Sequence, residues 1–289
     1  MKNFQKKLKT YLSLVKFSHT VFAMPFALIG FFLAVYGDNQ PFNIKLLLLI
    51  ILCMIFARNS AMGFNRIADR KFDALNPRTA SREIPSGKID TRSATIFVII
   101  NVVLFITSTW FINKLTFILS PVALIIILGY SLTKRITSLC HFILGLGLSL
   151  APIGAYISVT GVFSLLPVIY SFIVLTWVSG FDIIYALQDD DFDRANRLYS
   201  IPSETGRRKA IIISISVHII TVILVVIAGI LGSGGYLYWI GGALFTILLV
   251  YQHLIVSHDD ISRVNLAFAT MNGIASIVFA TFVILDLFL

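Results

Sequence analysis

Nine apolar runs, each about the length needed to cross a bilayer, dominate this chain. They fall at approximately 19–36, 44–64, 94–112, 115–132, 142–160, 163–182, 210–230, 236–256 and 264–286. A helix needs about 17–25 residues to span the hydrocarbon core. In lipid, backbone polar groups cannot turn to water, so helices and closed barrels are the only spanning solutions, and runs of this length select helices. Only 13% of the residues are charged and 57% are hydrophobic, whereas a soluble domain carries about 25% charge. The sequence therefore predicts an all-α integral membrane protein: a single domain over 1–289 with nine transmembrane helices in a bundle. The first run follows five lysines, as in a secretory signal, but shows no small-residue cleavage site and is read as a retained helix.

The basic residues orient that bundle. Twenty of the 23 Lys and Arg lie at the N-terminus or after even-numbered runs, against Lys45 and Lys114 on the other side and Arg58 within a run. The positive-inside rule then predicts a cytoplasmic N-terminus and an outside C-terminus. Two loops on the basic side are much longer than the rest, roughly 65–93 and 183–209, and each follows an even-numbered run. This suggests two four-helix pseudo-repeats, about 15–135 and 140–260, with a ninth helix appended. Cys53 and Cys140 fit no metal-ligand spacing and imply no disulfide framework.

Eight of the 14 acidic residues lie within 65–87 and 182–193. Asn65, Asp69 and Asp73 fall at i, i+4 and i+8, which forms one polar stripe if the second helix continues into its loop. Asp182, Tyr185, Asp189 and Asp193 make a second stripe, on the sixth helix. Stacked carboxylates repel unless a cation sits between them. Mg2+ is commonly held by one or two carboxylates plus substrate phosphates, and the interleaved Arg and Lys suit phosphate oxygens. The pattern predicts acid, metal, diphosphate and base layered at the cytoplasmic face. A secondary transporter also carries intramembrane charge and pseudo-repeats, but such sites usually lie near the bilayer midplane, and here the charges gather at one face.

The stretch NRIADRKFD resembles the first Asp-rich motif, N-x-x-x-D-x-x-x-D, of the UbiA superfamily of membrane prenyltransferases. DIIYALQDDDFD resembles its second, RTASREIPSG the segment between, and YSLTKR the Tyr-containing segment after the fourth helix. KFSHTVFAMPFAL and LAPIGAYISVTG make the chain most similar to the 4-hydroxybenzoate polyprenyltransferases. The resemblance implies Mg2+-dependent transfer of a polyprenyl group from an allylic diphosphate to an aromatic acceptor, expected to be 4-hydroxybenzoate, as in ubiquinone synthesis. A dihydroxynaphthoate, as in menaquinone synthesis, is the alternative. It implies a multi-pass protein of the inner (cytoplasmic) membrane with lipid, polyprenyl diphosphate and a small aromatic acid as partners. Nothing points to nucleic acid or an obligatory protein partner.

Under that resemblance, Asn65, Asp69 and Asp73 are expected to hold one Mg2+ and Asp182, Asp189 and Asp193 another. Asp69, Asp73, Asp182, Asp189 and Tyr185 are the expected catalytic residues. Arg66, Arg70, Lys134, Arg135 and Arg194 are expected on the diphosphate. Where the family often has Lys-Ser, this chain has Tyr199-Ser200, so Arg194 or Arg197 would have to replace that Lys. An Arg inside a span is costly and usually functional. Arg58 lies seven residues before Asn65 on the same face, about 10 Å deeper, and is expected, with His19, to bind the acceptor. His141, His218, His253 and His258 show no ligand spacing and are assigned no role.

Overall fold

The computed structural model describes residues 10–15 and 22–289. Among these there is no strand, and eight helices are long and apolar enough to cross a membrane. We number the helices from Met24. The first, α1 (Met24–Gly37), is shorter than a full span and widens into π turns from Leu33; the N-terminal part of the first expected run lies outside the described residues. Then come α2 (Ile44–Ala68), α3 (Arg70–Leu75), α4 (Thr91–Trp110), α5 (Lys114–Thr133), α6 (Cys140–Thr160) and α7 (Leu165–Ala186). After them follow α8 (Asp190–Ala195), α9 (Ile201–Thr205), α10 (Arg207–Leu231), α11 (Tyr236–Ile255) and α12 (Leu266–Asp286).

The helices form a closed bundle. α7 is the most buried span; α6 and α10 pack on either side of it, α1 packs on α6, and α12 closes back onto α1. α2, α4 and α5 form a cluster of their own, joined to the rest mainly through α5 on α6. The centre is aromatic: Trp177 of α7 meets Phe26 of α1 and Phe245 of α11, and Phe245 meets Phe279 of α12. On α4, Ile96, Ile99, Ile100 and Val103 are exposed at 3–4-residue spacing, an apolar stripe facing outward. Such a face belongs in lipid.

Two glycines let the core helices close. A Cβ on Gly30 would lie 2.0 Å from the Pro152 carbonyl oxygen, and one on Gly145 would lie 2.5 Å from that of Leu175. Small residues at helix crossings replace the hydrophobic drive that lipid removes. Polar pairs add a few links: Asn59 Nδ2 donates to Asn101 Oδ1 at 3.0 Å between α2 and α4, and Thr221 to Thr176 at 2.9 Å between α10 and α7. Each is worth about 0.6 kcal/mol by the averages for such bonds.

The two polar stripes are not continuous helices. α2 stops at Ala68, with Asp69 at φ −88°, ψ 4°, and α3 starts at Arg70. α7 runs past the expected end at 182 to Ala186, and Asp189 sits at φ −115°, ψ 4° before α8. Each acidic joint therefore lies in the bridge region between a long span and a six-residue helix. The local sequences match as well: Asp69-Arg-Lys-Phe-Asp73 and Asp189-Asp-Asp-Phe-Asp193. In both, the N–H of the last Asp donates to the carbonyl of the first, Asp73 to Asp69 at 2.8 Å and Asp193 to Asp189 at 2.7 Å. The ends of α2, α5 and α7, with the segments after them, surround one cavity.

Candidate active site

That cavity measures about 300 Å3. Asn65, Arg66, Asp69, Asp73, Lys134, Arg135, Asp182, Tyr185, Asp189, Asp193 and Arg58 all line it. Four carboxylates at its rim are each held by a cation. Arg135 Nη2 lies 3.0 Å from Asp69, Arg82 Nη1 2.7 Å from Asp73, and Lys134 Nζ 2.8 Å from Asp193. Arg78 grips Asp189 through both Nε and Nη2, and Asn76 Nδ2 donates to the same carboxylate at 2.9 Å. Arg78 also donates to the Tyr185 hydroxyl at 3.1 Å and stacks its guanidinium 5.5 Å from that ring's centroid. The segment after α3 thus crosses to the second acidic motif and ties the two halves together.

Burial and pairing compete at each acid. Burial pushes Asp69 above the ordinary carboxylate range, against the Arg135 contact. Burial likewise raises Asp193, opposed by Lys134 and Ser200. At Asp189, burial pushes upward, but the Arg78 bond and charge with Asn76 and Lys134 outweigh it and hold the carboxyl below its usual value. Burial alone would depress Lys134; the attraction of Asp193 and Asp189 raises it instead.

A deeper layer follows. Asp182 stands apart from the rim pairs, with its Oδ2 2.7 Å from His141 Nδ1. The Ile201 N–H donates to His141 Nε2 at 3.3 Å, so that nitrogen accepts and Nδ1 carries the proton donated to Asp182. Arg58, Tyr130 and the apolar Leu144, Leu148 and Val178 line the same cavity, with Phe22, Phe181, Tyr185 and Phe268 forming an aromatic side.

Not every expected residue arrives. The guanidinium of Arg70 turns back to the Ile67 carbonyl at 2.8 Å, and Arg70 does not line the cavity. Arg194 is largely exposed, 3.7 Å from Asp191, and also lies off the lining. Its reach is outward because α8 is a separate helix rather than a continuation of α7. Arg197 is off the lining too. At the Tyr199-Ser200 departure, the Tyr199 N–H donates to the Lys134 carbonyl at 2.7 Å and Ser200 Oγ to Asp193 at 3.0 Å. That segment therefore steadies Lys134 and Asp193 rather than adding a cation. His19 lies outside the described residues.

Arg78, Arg82, Asn76 and His141 reach the site without having been expected there. The two arginines belong to RTASREIPSG, whose spacing from the acids is long and irregular, so no helical period signals the contact. His141 is isolated in sequence from Asp182 and meets it only across α6 and α7.

An Mg2+ ion suits this donor set. The candidate ligands offer oxygen only, and Asp73 Oδ2 is buried with no hydrogen-bond partner among the described residues. Asn65 Nδ2 donates to Asp69 at 3.0 Å, which leaves its amide oxygen available. No three His, Cys, Asp or Glu side chains converge on a metal position among the described residues.

Comparison with known proteins decides the family. The model of the UbiA prenyltransferase family matches residues 23–274. The chain belongs to the UbiA prenyltransferase family. It is 30% identical over 235 residues to a 4-hydroxybenzoate octaprenyltransferase from Tolumonas auensis, covering 81% of this chain and 82% of that one. An apo UbiA homologue from Aeropyrum pernix K1 superposes with TM-score 0.84 at 30% identity, over 93% of this chain and 98% of that chain. A UbiA homologue from Archaeoglobus fulgidus bound to DMAPP and Mg2+ has TM-score 0.71 at 20% identity, covering 93% and 99%; it speaks to the fold alone. This UbiA-family protein is a membrane-embedded prenyltransferase, and its charged cavity is the candidate place for that chemistry.

Proposed function

We propose that this chain transfers a polyprenyl group from an allylic diphosphate to 4-hydroxybenzoate, with Mg2+ as cofactor. The observation that carries the reading is the layered cavity: paired acids and bases at the rim, aromatic rings below them, and Arg58 in the lining seven residues before Asn65. A named 4-hydroxybenzoate octaprenyltransferase at 30% identity supports the acceptor. The concentration of Lys and Arg in the segments around the cavity supports a cytoplasmic site in the inner membrane, with the N-terminus cytoplasmic and the C-terminus outside. The matching acidic joints after α2 and α7 support a single domain built of two four-helix pseudo-repeats with a further helix, nine spans in all.

Asn65, Asp69 and Asp73 would hold one Mg2+, and Asp189 and Asp193 with Asp182 another. Bound there, the metal neutralises charge growing on the leaving diphosphate. Arg78, Arg82, Lys134 and Arg135 bind the phosphate oxygens by trading a carboxylate partner for a phosphate one, and Arg66, in the same lining, joins them. The allylic C–O bond breaks and the diphosphate leaves with its electron pair. A ring carbon beside the acceptor hydroxyl attacks the allyl cation and loses its proton. Arg58 orients the acceptor by its carboxylate, and the aromatic walls keep water out. The prenyl tail lies among apolar side chains, which is why the reaction belongs in a membrane.

The test is a purified-protein assay with geranyl diphosphate, with and without Mg2+, against 4-hydroxybenzoate and 1,4-dihydroxy-6-naphthoate, read by mass. Prenylated 4-hydroxybenzoate, lost with EDTA, supports the proposal. Product from the naphthoate alone overturns the acceptor; product that survives EDTA overturns the metal.

A further inference from the structure

We propose that Phe268, held in place by Asn272, is the wall that keeps water from the allylic cation; this rests on the prenyl-transfer reading above. α12 begins not as an α-helix but as π turns over Leu266–Met271. Wide turns of this kind are rare and recur at functional sites, because they re-aim a side chain at the cost of regular hydrogen bonding. Here Asn272, 1% exposed, compensates: its Nδ2 donates to the carbonyls of Ala267 and Phe268 at 3.0 and 3.1 Å. Its Oδ1 accepts the Trp177 indole N–H at 3.0 Å. An amide this buried is stable only when so fully used.

The Phe268 ring that results is the hub of the cavity's aromatic side. It lies 4.1 Å from the Tyr185 ring, 5.4 Å from Phe181 and 5.5 Å from Phe22, and all four line the cavity. Tyr185 lies in the last turn of α7, just before the joint at Asp189, and the Arg78 guanidinium bridges its hydroxyl to the Asp189 carboxylate. An allylic carbon tethered to a diphosphate at the rim would therefore ionise at the level of Tyr185 and Phe268. Tyr185 already faces the Arg78 guanidinium, so the uncharged surroundings of the cation come from Phe268 and its two Phe neighbours. Ring faces attract a cation, and their bulk fills the space a water would need.

Two fates compete for the cation. Capture by the acceptor ring forms a C–C bond and releases the ring proton; capture by water forms a C–O bond and releases a proton, leaving prenyl alcohol. Diphosphate is released once in either case. The experiment measures prenylated acceptor, prenyl alcohol and diphosphate together, with full-length protein, geranyl diphosphate, 4-hydroxybenzoate and Mg2+. For Phe268→Ala, the alcohol-to-product ratio rises about tenfold or more, while KM for geranyl diphosphate, set by the charged rim, is unchanged. Phe268→Leu keeps water out but loses the ring, so the ratio stays low while kcat falls about 2- to 30-fold. Asn272→Leu raises the ratio as Phe268→Ala does, with thermal melting checking that the bundle is intact.

An unchanged ratio in Phe268→Ala overturns the proposal, and an unchanged ratio in folded Asn272→Leu overturns the role of the π turn. Wild-type protein that yields neither product nor alcohol overturns the underlying reading instead, which separates the two failures.

Discussion

Arg78→Met isolates the contact that bridges the two acidic motifs. The replacement keeps most of the aliphatic bulk and removes the guanidinium, so Asp189, with 11% of its side chain exposed, keeps only Asn76 as a direct partner. Hydrogen bonds to charged groups contribute about 1.5–3 kcal/mol each, and an uncompensated buried charge costs about 3–5 kcal/mol. Because 31% of the Arg78 side chain faces solvent, the expected loss is about 2–4 kcal/mol at pH 7. For a chain of this size that is a fall in Tm of about 4–8 °C. The pH dependence carries the sign. In the wild type, Asp189 lies below its ordinary value of 3.8, so its contribution is complete above that value and lost as pH falls below it. Without Arg78, burial dominates and the folded carboxyl rises above its unfolded value. The cost is then felt at high pH and relieved as pH falls toward the raised value. Melting curves in detergent at pH 7 and pH 5 should show the gap between wild type and variant narrowing at pH 5. Adding Asp189→Asn to the variant should recover part of the loss at pH 7. A gap independent of pH, with no recovery in the double variant, refutes the argument that an unpaired Asp189 is the cause.

Asp69→Asn and Asp182→Asn should each lower turnover by at least about 100-fold, the scale of losing a group that stabilises transition-state charge; full activity in either would remove that residue from the site. Arg58→Leu should raise KM for 4-hydroxybenzoate about 10- to 100-fold, as loss of a buried charge-assisted bond predicts, with KM for geranyl diphosphate unchanged; equal effects on both substrates would place Arg58 elsewhere. Gly30→Ala forces a Cβ to 2.0 Å from the Pro152 carbonyl, so α1 and α6 must part, at about 1–3 kcal/mol of overpacking. A melting temperature within 1 °C of wild type, a shift of under about half a kcal/mol, would contradict that crossing.

The spans were legible because their signal is collective: twenty apolar residues in a row outvote any one propensity. The acids were legible as a helical period; the helices break at Asp69 and Asp189, yet all six residues of that period line one cavity. Asp69 and Asp189 break α2 and α7 because the chain must turn from the bundle axis to cover the cavity. That turn depends on contacts such as Arg78 with Asp189, 111 residues away in sequence, which no local pattern carries. Arg70 illustrates the converse. It has the right charge beside the right acid, yet the joint at Asp69 turns it toward the Ile67 carbonyl. His141 looked inert because its partner is on another helix, and Phe268 because one Phe among 24 has no periodic mark.

α2, α5 and α7 all finish at this cavity, at Ala68, Thr133 and Ala186. Each helix end carries about half a negative elementary charge from its aligned peptide dipoles. The backbone therefore makes the mouth electronegative before any carboxylate is counted. Several basic groups answer it directly: Arg135 donates to the Ala68 carbonyl at 2.7 Å, Arg70 to that of Ile67, and Lys134 is the cap residue of α5. A bare diphosphate approaching such a mouth would meet repulsion from the main chain itself. A diphosphate held at this mouth would therefore need the basic side chains around it, and any bound cation, to offset the charge that the direction of three helices places there.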